Sequence, residues 1–245
     1  MTDTYCFADR TIRITSLHER VHRYCEAYRT DGMPDFCVST DQADIDHERK
    51  KSAEEDAWMG VPTRLYSDGY LEELAVYRKI AEKMPEYDTF LFHGSIIAVD
   101  GKAYAFTAKS GTGKSTHARL WRELLGDRAV MVNDDKPLIR ITDDGPIAYG
   151  TPYNGKHRLG ERIAVPLVAV CLLERSAENH IERITKSDAY FALLQQTYRP
   201  QDVNAAVKTL TLLERMANGV RLYRLGCNMD PSAAVVAYEA MRRED

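Results

Sequence analysis

Ala108-Lys109-Ser110-Gly111-Thr112-Gly113-Lys114-Ser115 decides how the rest of this chain is read. The phosphate-binding-loop pattern asks for Gly, four residues, Gly-Lys and then Ser or Thr. Only its first position departs here, with Ala108 in place of Gly. Gly111 and Gly113 let the backbone curl so that several N–H groups converge on phosphate oxygens. Lys114 supplies a positive charge for the β- and γ-phosphates, and Ser115 a hydroxyl for Mg²⁺. A helix starting at Lys114 turns its positive N-terminal end to the same anion. ATP with Mg²⁺ is therefore the first ligand to consider, with Ser110, Gly111, Thr112, Gly113, Lys114, Ser115 and Thr116 as its candidate binding residues.

Working outward, both flanks suit a strand–loop–helix unit. Ala103 to Thr107 is a short apolar and aromatic run of strand character. After the loop, Ala118, Trp121, Leu124 and Leu125 fall on one helical face, and Gly126 is a suitable stop. Ser95 to Val99, Asp100-Gly101 and 103–107 predict a β-hairpin, since Asp-Gly favours a tight turn with positive φ. Ala129 to Val132 is an apolar strand that runs into Asn133-Asp134-Asp135. A second hairpin is expected from 138–141 and 146–149 around Asp143-Asp144-Gly145. A buried strand follows at 165–173, then helices near 187–198 and 201–217, then a strand at 220–225. Asp230-Pro231 is a helix start signal for a last helix.

Upstream of this α/β pattern, residues 1–88 read differently. Helices are expected at 17–28 and 71–83, the second ended by Pro85. The mixed-charge run 41–56 reads as a solvated helix or loop. This gives two domains, an α+β N-terminal region at 1–88, assigned to partner or substrate recognition, and an α/β domain with a mixed sheet at 89–245.

The chain has 245 residues, 44% of them apolar, with a formal net charge of −4. Such a chain builds a sizeable core and gives no global electrostatic reason to expect a nucleic-acid partner. No run of eighteen apolar residues suggests a transmembrane helix, and Met1 to Tyr5 lacks the shape of a secretory signal. Cys6, Cys25, Cys37, Cys171 and Cys227 include no C-x-x-C pair, which favours reduced thiols in the cytoplasm.

A triphosphate site also needs a carboxylate for its metal and, for transfer to a hydroxyl, a base. In a parallel sheet, the strand ending in Asp134-Asp135 can lie beside the loop's strand and bring both carboxylates to the phosphates. One of the two acids can then serve the metal with Ser115, and the other can take a proton. Asn-Asp-Asp-Lys is equally good surface-turn composition. The loop Gly150 to Arg158 offers Lys156 or Arg158 to neutralise a transferring phosphoryl group; an ordinary exposed basic loop is the other reading. Spacing alone does not separate His93, of the His93-Gly94 pair, from His117 or His157.

Taken in order, His93-Gly94, the Asp-Gly hairpin, Ser110 to Ser115 and the strand ending in Asp134-Asp135 resemble the C-terminal catalytic domain of HPr kinase/phosphorylase. That domain shares its phosphate-loop architecture with phosphoenolpyruvate carboxykinases. The resemblance spans roughly residues 88–175 and implies a kinase in which His93, Lys114 and Asp135 are catalytic. Asp135 is then the base for an acceptor serine, Ser115 a metal ligand, and Asp134 an aid to the metal or to His93. The Glu-x-Arg-Gly-x-Gly string of that family is missing, and Gly150 to Gly160 stands in its place. The chain is more similar to small stand-alone relatives, some of which phosphorylate a serine of a precursor peptide. A peptide or small-protein substrate is therefore implied, along with a homo-oligomer, since the family often forms hexamers. The alternative is a nucleotide-gated binding module that transfers nothing. A GTPase switch has less support, because Asn-Lys-x-Asp does not occur.

Overall fold

A computed structural model describes residues 1–155 and 157–243. The chain divides into two compact units, Met1–Lys83 and Met84–Asp245. The division falls before 88 because the 3₁₀ turn Met84–Tyr87 buries Met84 and Pro85 within the second unit.

In the first unit, strands β1 (Thr2–Phe7) and β2 (Arg10–Thr15) form a hairpin, turned by Ala8 and Asp9 at φ 49° and 58°. Strand β3 (Phe36–Ser39) pairs parallel to β2. Helix α1 (Glu19–Cys25) lies between β2 and β3 in the chain, inside the span expected to be helical. The charged run becomes helix α2 (Gln42–Trp58), opened by a reciprocal capping box between Asp41 and Asp44. Helix α3 (Asp68–Lys83) buries Leu71, Ala75, Val76 and Ile80. Glu72, on the same helix, is wholly buried and accepts from the amides of Leu17 and His18, from His18 Nδ1 and from Thr40 Oγ1. Burial alone would raise its pKa; those donors, Thr40 first, outweigh burial and lower it.

The second unit is built on strands β4 (Thr89–Leu91), β5 (Ser95–Val99), β6 (Lys102–Thr107), β7 (Ala129–Asn133), β8 (Leu138–Thr142), β9 (Gly145–Tyr149), β10 (Ala164–Arg175), β11 (His180–Arg183) and β12 (Arg221–Cys227). Their order is β4-β8-β9-β10-β6-β5-β7, with β12 also on β10 and β11 on β12. The twelve-residue β10 makes this branching possible. Its first residues pair antiparallel with β9, and its later ones lie between β6 and β12, parallel to both.

Period-2 alternation divides the core between the two faces of this sheet. Ile96 and Ala98, Ala103 and Ala105, and Val170 and Leu172 point to one face. Ile97 and Val99, Tyr104 and Phe106, and Ala169 and Cys171 point to the other. Helices α5 (Lys186–Gln195) and α6 (Val203–Gly219) cover the first face; α4 (Lys114–Leu125) and α7 (Ser232–Met241) cover the second. With both faces buried, these strands read as nearly continuous apolar runs.

Both expected hairpins form, as β5–β6 and β8–β9. The direct side-by-side placement of β6 and β7 does not. Strand β5 intervenes, antiparallel to each, so β6 and β7 point the same way one strand apart. Their C-terminal ends and the N-terminal end of β5 therefore share one edge of the sheet.

Candidate active site

Three segments meet at that edge: His93-Gly94 before β5, the loop 108–113 after β6, and Asp134-Asp135 after β7. They line a cavity of about 470 Å³ that contains His93, Ser110, Lys114, Ser115, Asp134 and Asp135.

The loop joins β6 to α4 with Gly111 at φ 77° and Gly113 at φ 126°, conformations that side-chain-bearing residues rarely adopt. Gly113 is the N-cap of α4 and brings no capping side chain, so the first-turn amides of the helix keep their donors for a ligand. Arg175, at the end of β10, donates to the Gly111 carbonyl at 2.6 Å and fixes the curl from outside. Lys114 is largely buried, and its Nζ donates to the Ala108 carbonyl at 3.0 Å. Burial lowers its pKa, against the opposing pull of Asp135 and then Asp134. Ser110 and Ser115 are exposed, and Thr116 also lines the cavity.

Asp134 is buried, and Ser95 Oγ donates to its Oδ1 at 2.6 Å, which leaves Oδ2 as the unengaged oxygen of the pair. Asn133 Oδ1 accepts from the amides of Asp135 and Lys136, so an Asx turn presents the two acids in sequence. Asp135 is the more open of the two, and its Oδ1 lies 3.6 Å from His93 Nε2.

His93 is held at its other nitrogen, where Nδ1–H donates to Gln196 Oε1 at 2.8 Å. That bond leaves a lone pair on Nε2, facing the Asp135 carboxylate across the 3.6 Å gap. Burial, then Lys114, lowers the His93 pKa, while Asp135 and Gln196 act in the opposite direction. Gly94 follows because a Cβ there would stand 3.0 Å from the Phe106 carbonyl and 3.1 Å from the Phe92 ring.

The loop after β9 folds back over the acids. Lys136 donates its amide to the Tyr153 carbonyl, and a Cβ on Gly155 would reach to 3.6 Å of the Asp135 Cβ. Lys156 lies outside the described residues. Arg158 is exposed, with φ 50°, and does not line the cavity; His157 does. Ser95, Asn133 and Gln196 complete the arrangement without having been singled out in the sequence. Ser95 opens a strand run that reads as structural, Asn133 falls in a stretch of turn composition, and Gln196 is remote in the chain from His93.

Among the described residues no group of three or more His, Cys, Asp or Glu side chains is placed to hold a metal. The Ser115 hydroxyl and the Asp134 carboxylate, facing one cavity, are a donor set that suits Mg²⁺, which takes one or two protein oxygens and completes its shell with phosphate and water. No helix among the described residues is long and apolar enough to cross a membrane.

No family model matches the chain, and neither does any curated protein. Among solved structures, the HPr(Ser) kinase/phosphatase from Coxiella burnetii aligns over 61% of this chain and 95% of its own, at 7% identity and a TM-score of 0.34. A likeness of that size leaves the functional reading to rest on the site itself.

Proposed function

We propose that the chain is an ATP- and Mg²⁺-dependent phosphotransferase that moves the γ-phosphoryl group to a hydroxyl, the serine of a peptide or small protein being the preferred acceptor. The observation that carries this reading is the convergence of Lys114, Ser115, Asp134, Asp135 and His93 on one cavity from three separate strand ends. The amides of the loop and of the first turn of α4 bind and orient the phosphates. Lys114 neutralises charge on the transferring group. Ser115 and Asp134 would hold Mg²⁺, which when bound adds further charge neutralisation there. Asp135 accepts the proton of the incoming hydroxyl as its oxygen bonds to phosphorus and the bond to the bridging oxygen of ADP breaks. His93, neutral and fixed by Gln196, turns Nε2 to the same proton path. The Ser95 bond keeps Asp134 in place while Asp135 works.

The test is transfer of label from γ-labelled ATP to serine-containing peptides by the full chain, alongside Asp135→Asn. Loss of a positioned base costs on the order of 10²–10⁴ in rate. Undiminished transfer by Asp135→Asn would remove Asp135 as the base. ATP binding with no phosphoproduct from any acceptor supports the nucleotide-gated binding module instead.

A further inference from the structure

A second cavity, also of about 470 Å³, opens on the far side of the loop. It shares Gly111, Gly113 and Thr116 with the cavity that holds the acids, so the two are continuous across the start of α4. A third cavity, beside Thr107 to Lys109 and Gln195-Gln196, shares no lining residue with the acid cavity. A triphosphate laid over the N-terminus of α4 with its γ end toward Asp135 can therefore place its nucleoside in the second cavity.

The walls of that second cavity suit a flat base. Cys227 and Met229, at the end of β12, supply polarisable apolar surface, and Met229 is 78% exposed and free to close over a ring. His117 forms part of the wall and is only 2% exposed. Its Nε2 accepts from Trp121 Nε1–H at 3.1 Å, which places the ring proton on Nδ1, and Nδ1 has no hydrogen-bond partner. Nδ1 is itself shielded, so a base nitrogen reaches it only if the wall opens; a buried donor without a partner is costly, and such an acceptor removes the cost. Burial lowers the His117 pKa to about 4, so the ring stays neutral and does not repel a cation or recruit a further phosphate. No carboxylate among the described residues lines the cavity. Two carboxylates adjoin lining residues in sequence: Asp230 uses Oδ1 to accept from Ser232 N and Oγ, and Glu174 pairs with Arg224 at 3.2 Å. Guanine, whose N1–H and amino group ask for a carboxylate, finds none there.

We infer that the cavity between α4 and the ends of β10 and β12 is the nucleoside subsite, that it takes an adenine-type base, and that His117, Cys227 and Met229 are its specificity-determining residues. The inference rests on the phosphotransferase reading and names where its nucleotide sits.

Three probes separate the two claims when titrated into the full chain with Mg²⁺: ATP, GTP and inorganic tripolyphosphate. ATP is expected to bind at least tenfold more tightly than either of the others. Cys227→Trp fills the cavity and should lower ATP affinity to that of tripolyphosphate, with tripolyphosphate binding unchanged. The wild-type chain, irradiated with 8-azido-ATP and digested, gives a readout that needs no variant, with label expected in the peptide spanning 227–229. Tripolyphosphate bound while ATP binds no more tightly overturns the subsite alone, as does label confined to the 192–196 peptide. GTP binding equal to that of ATP overturns the adenine assignment. If wild type binds neither phosphate ligand, the phosphotransferase reading falls and the subsite with it.

Discussion

Gln196 holds His93 twice, accepting from its ring through Oε1 and from its amide through the main-chain carbonyl at 2.7 Å. Only the side-chain bond is removed in Gln196→Leu, so the backbone contact persists. That bond supports the protonated ring, and its loss lowers the His93 pKa further. If neutral His93 is the working form, the acidic limb of kcat/KM moves to lower pH in Gln196→Leu. The freed tautomer lowers kcat by about 3- to 10-fold, the worth of one such bond. A pH–rate profile beside the wild type checks both; an unmoved acidic limb would assign Gln196 a purely structural part. No local pattern marks Gln196 in the sequence, because its partner lies 103 positions away. The loop glycines, set by backbone geometry, were legible; Gly94 was marked only as the neighbour of His93, and its close approach to the Phe106 carbonyl depends on a strand pairing no local pattern shows.

At the scale of elements, α4 is anchored by Trp121, fully buried against Tyr104, Phe106 and Tyr238. Truncation by Trp121→Ala should cost about 3–5 kcal/mol in denaturant unfolding. The same helix carries His117, whose folded pKa of about 4 lies below the 6.5 of the unfolded chain. The unfolded state therefore takes up the proton first. The stability that neutral His117 contributes is fully present above pH 6.5 and is lost as pH falls toward 4, by an amount on the order of 3 kcal/mol. His117→Gln keeps an acceptor for Trp121 and cannot titrate, so its stability relative to wild type should rise as pH falls from 6.5 to 4. A pH-independent difference between the two proteins would contradict this. In the first unit, Glu72→Leu leaves the buried donors of Leu17, His18 and Thr40 without their acceptor and should cost about 2–3 kcal/mol.

Most elements of the second unit were legible from apolar runs bounded by turn residues, with hairpin boundaries within one position and helix boundaries within three. Strand order was not. Residues 95–99 and 129–133 look alike as apolar strands, and nothing local says that the first lies between the loop's strand and the second. The first unit was read as α+β, but none of the strands of its three-stranded sheet was placed, although Arg10 to Thr15 alternates, with Ile12 and Ile14 fully buried. Its strands are short, and charged and hydroxyl residues occupy the outer positions. Strand β11 has four residues, none of them buried, and carried no periodic signal at all.

For the whole molecule, the second unit holds both faces of a covered sheet and every described residue of the candidate site. Residues 84–245 expressed alone should fold with a single cooperative transition and keep binding tripolyphosphate. Loss of acceptor phosphorylation in that fragment, with nucleotide binding intact, would assign residues 1–83 to acceptor recognition. Transfer unchanged would exclude them from it.

Phosphoryl transfer at this edge of the sheet is what the proposed function requires. The most direct measurement is ³¹P NMR of the full chain with ATP, Mg²⁺ and serine-containing acceptor peptides, recorded beside Asp135→Asn. ADP and a phosphomonoester are expected in equal amounts in the wild type, and neither in a variant that still binds ATP. ADP accompanied only by inorganic phosphate, or ATP bound and never consumed, would contradict the proposed function.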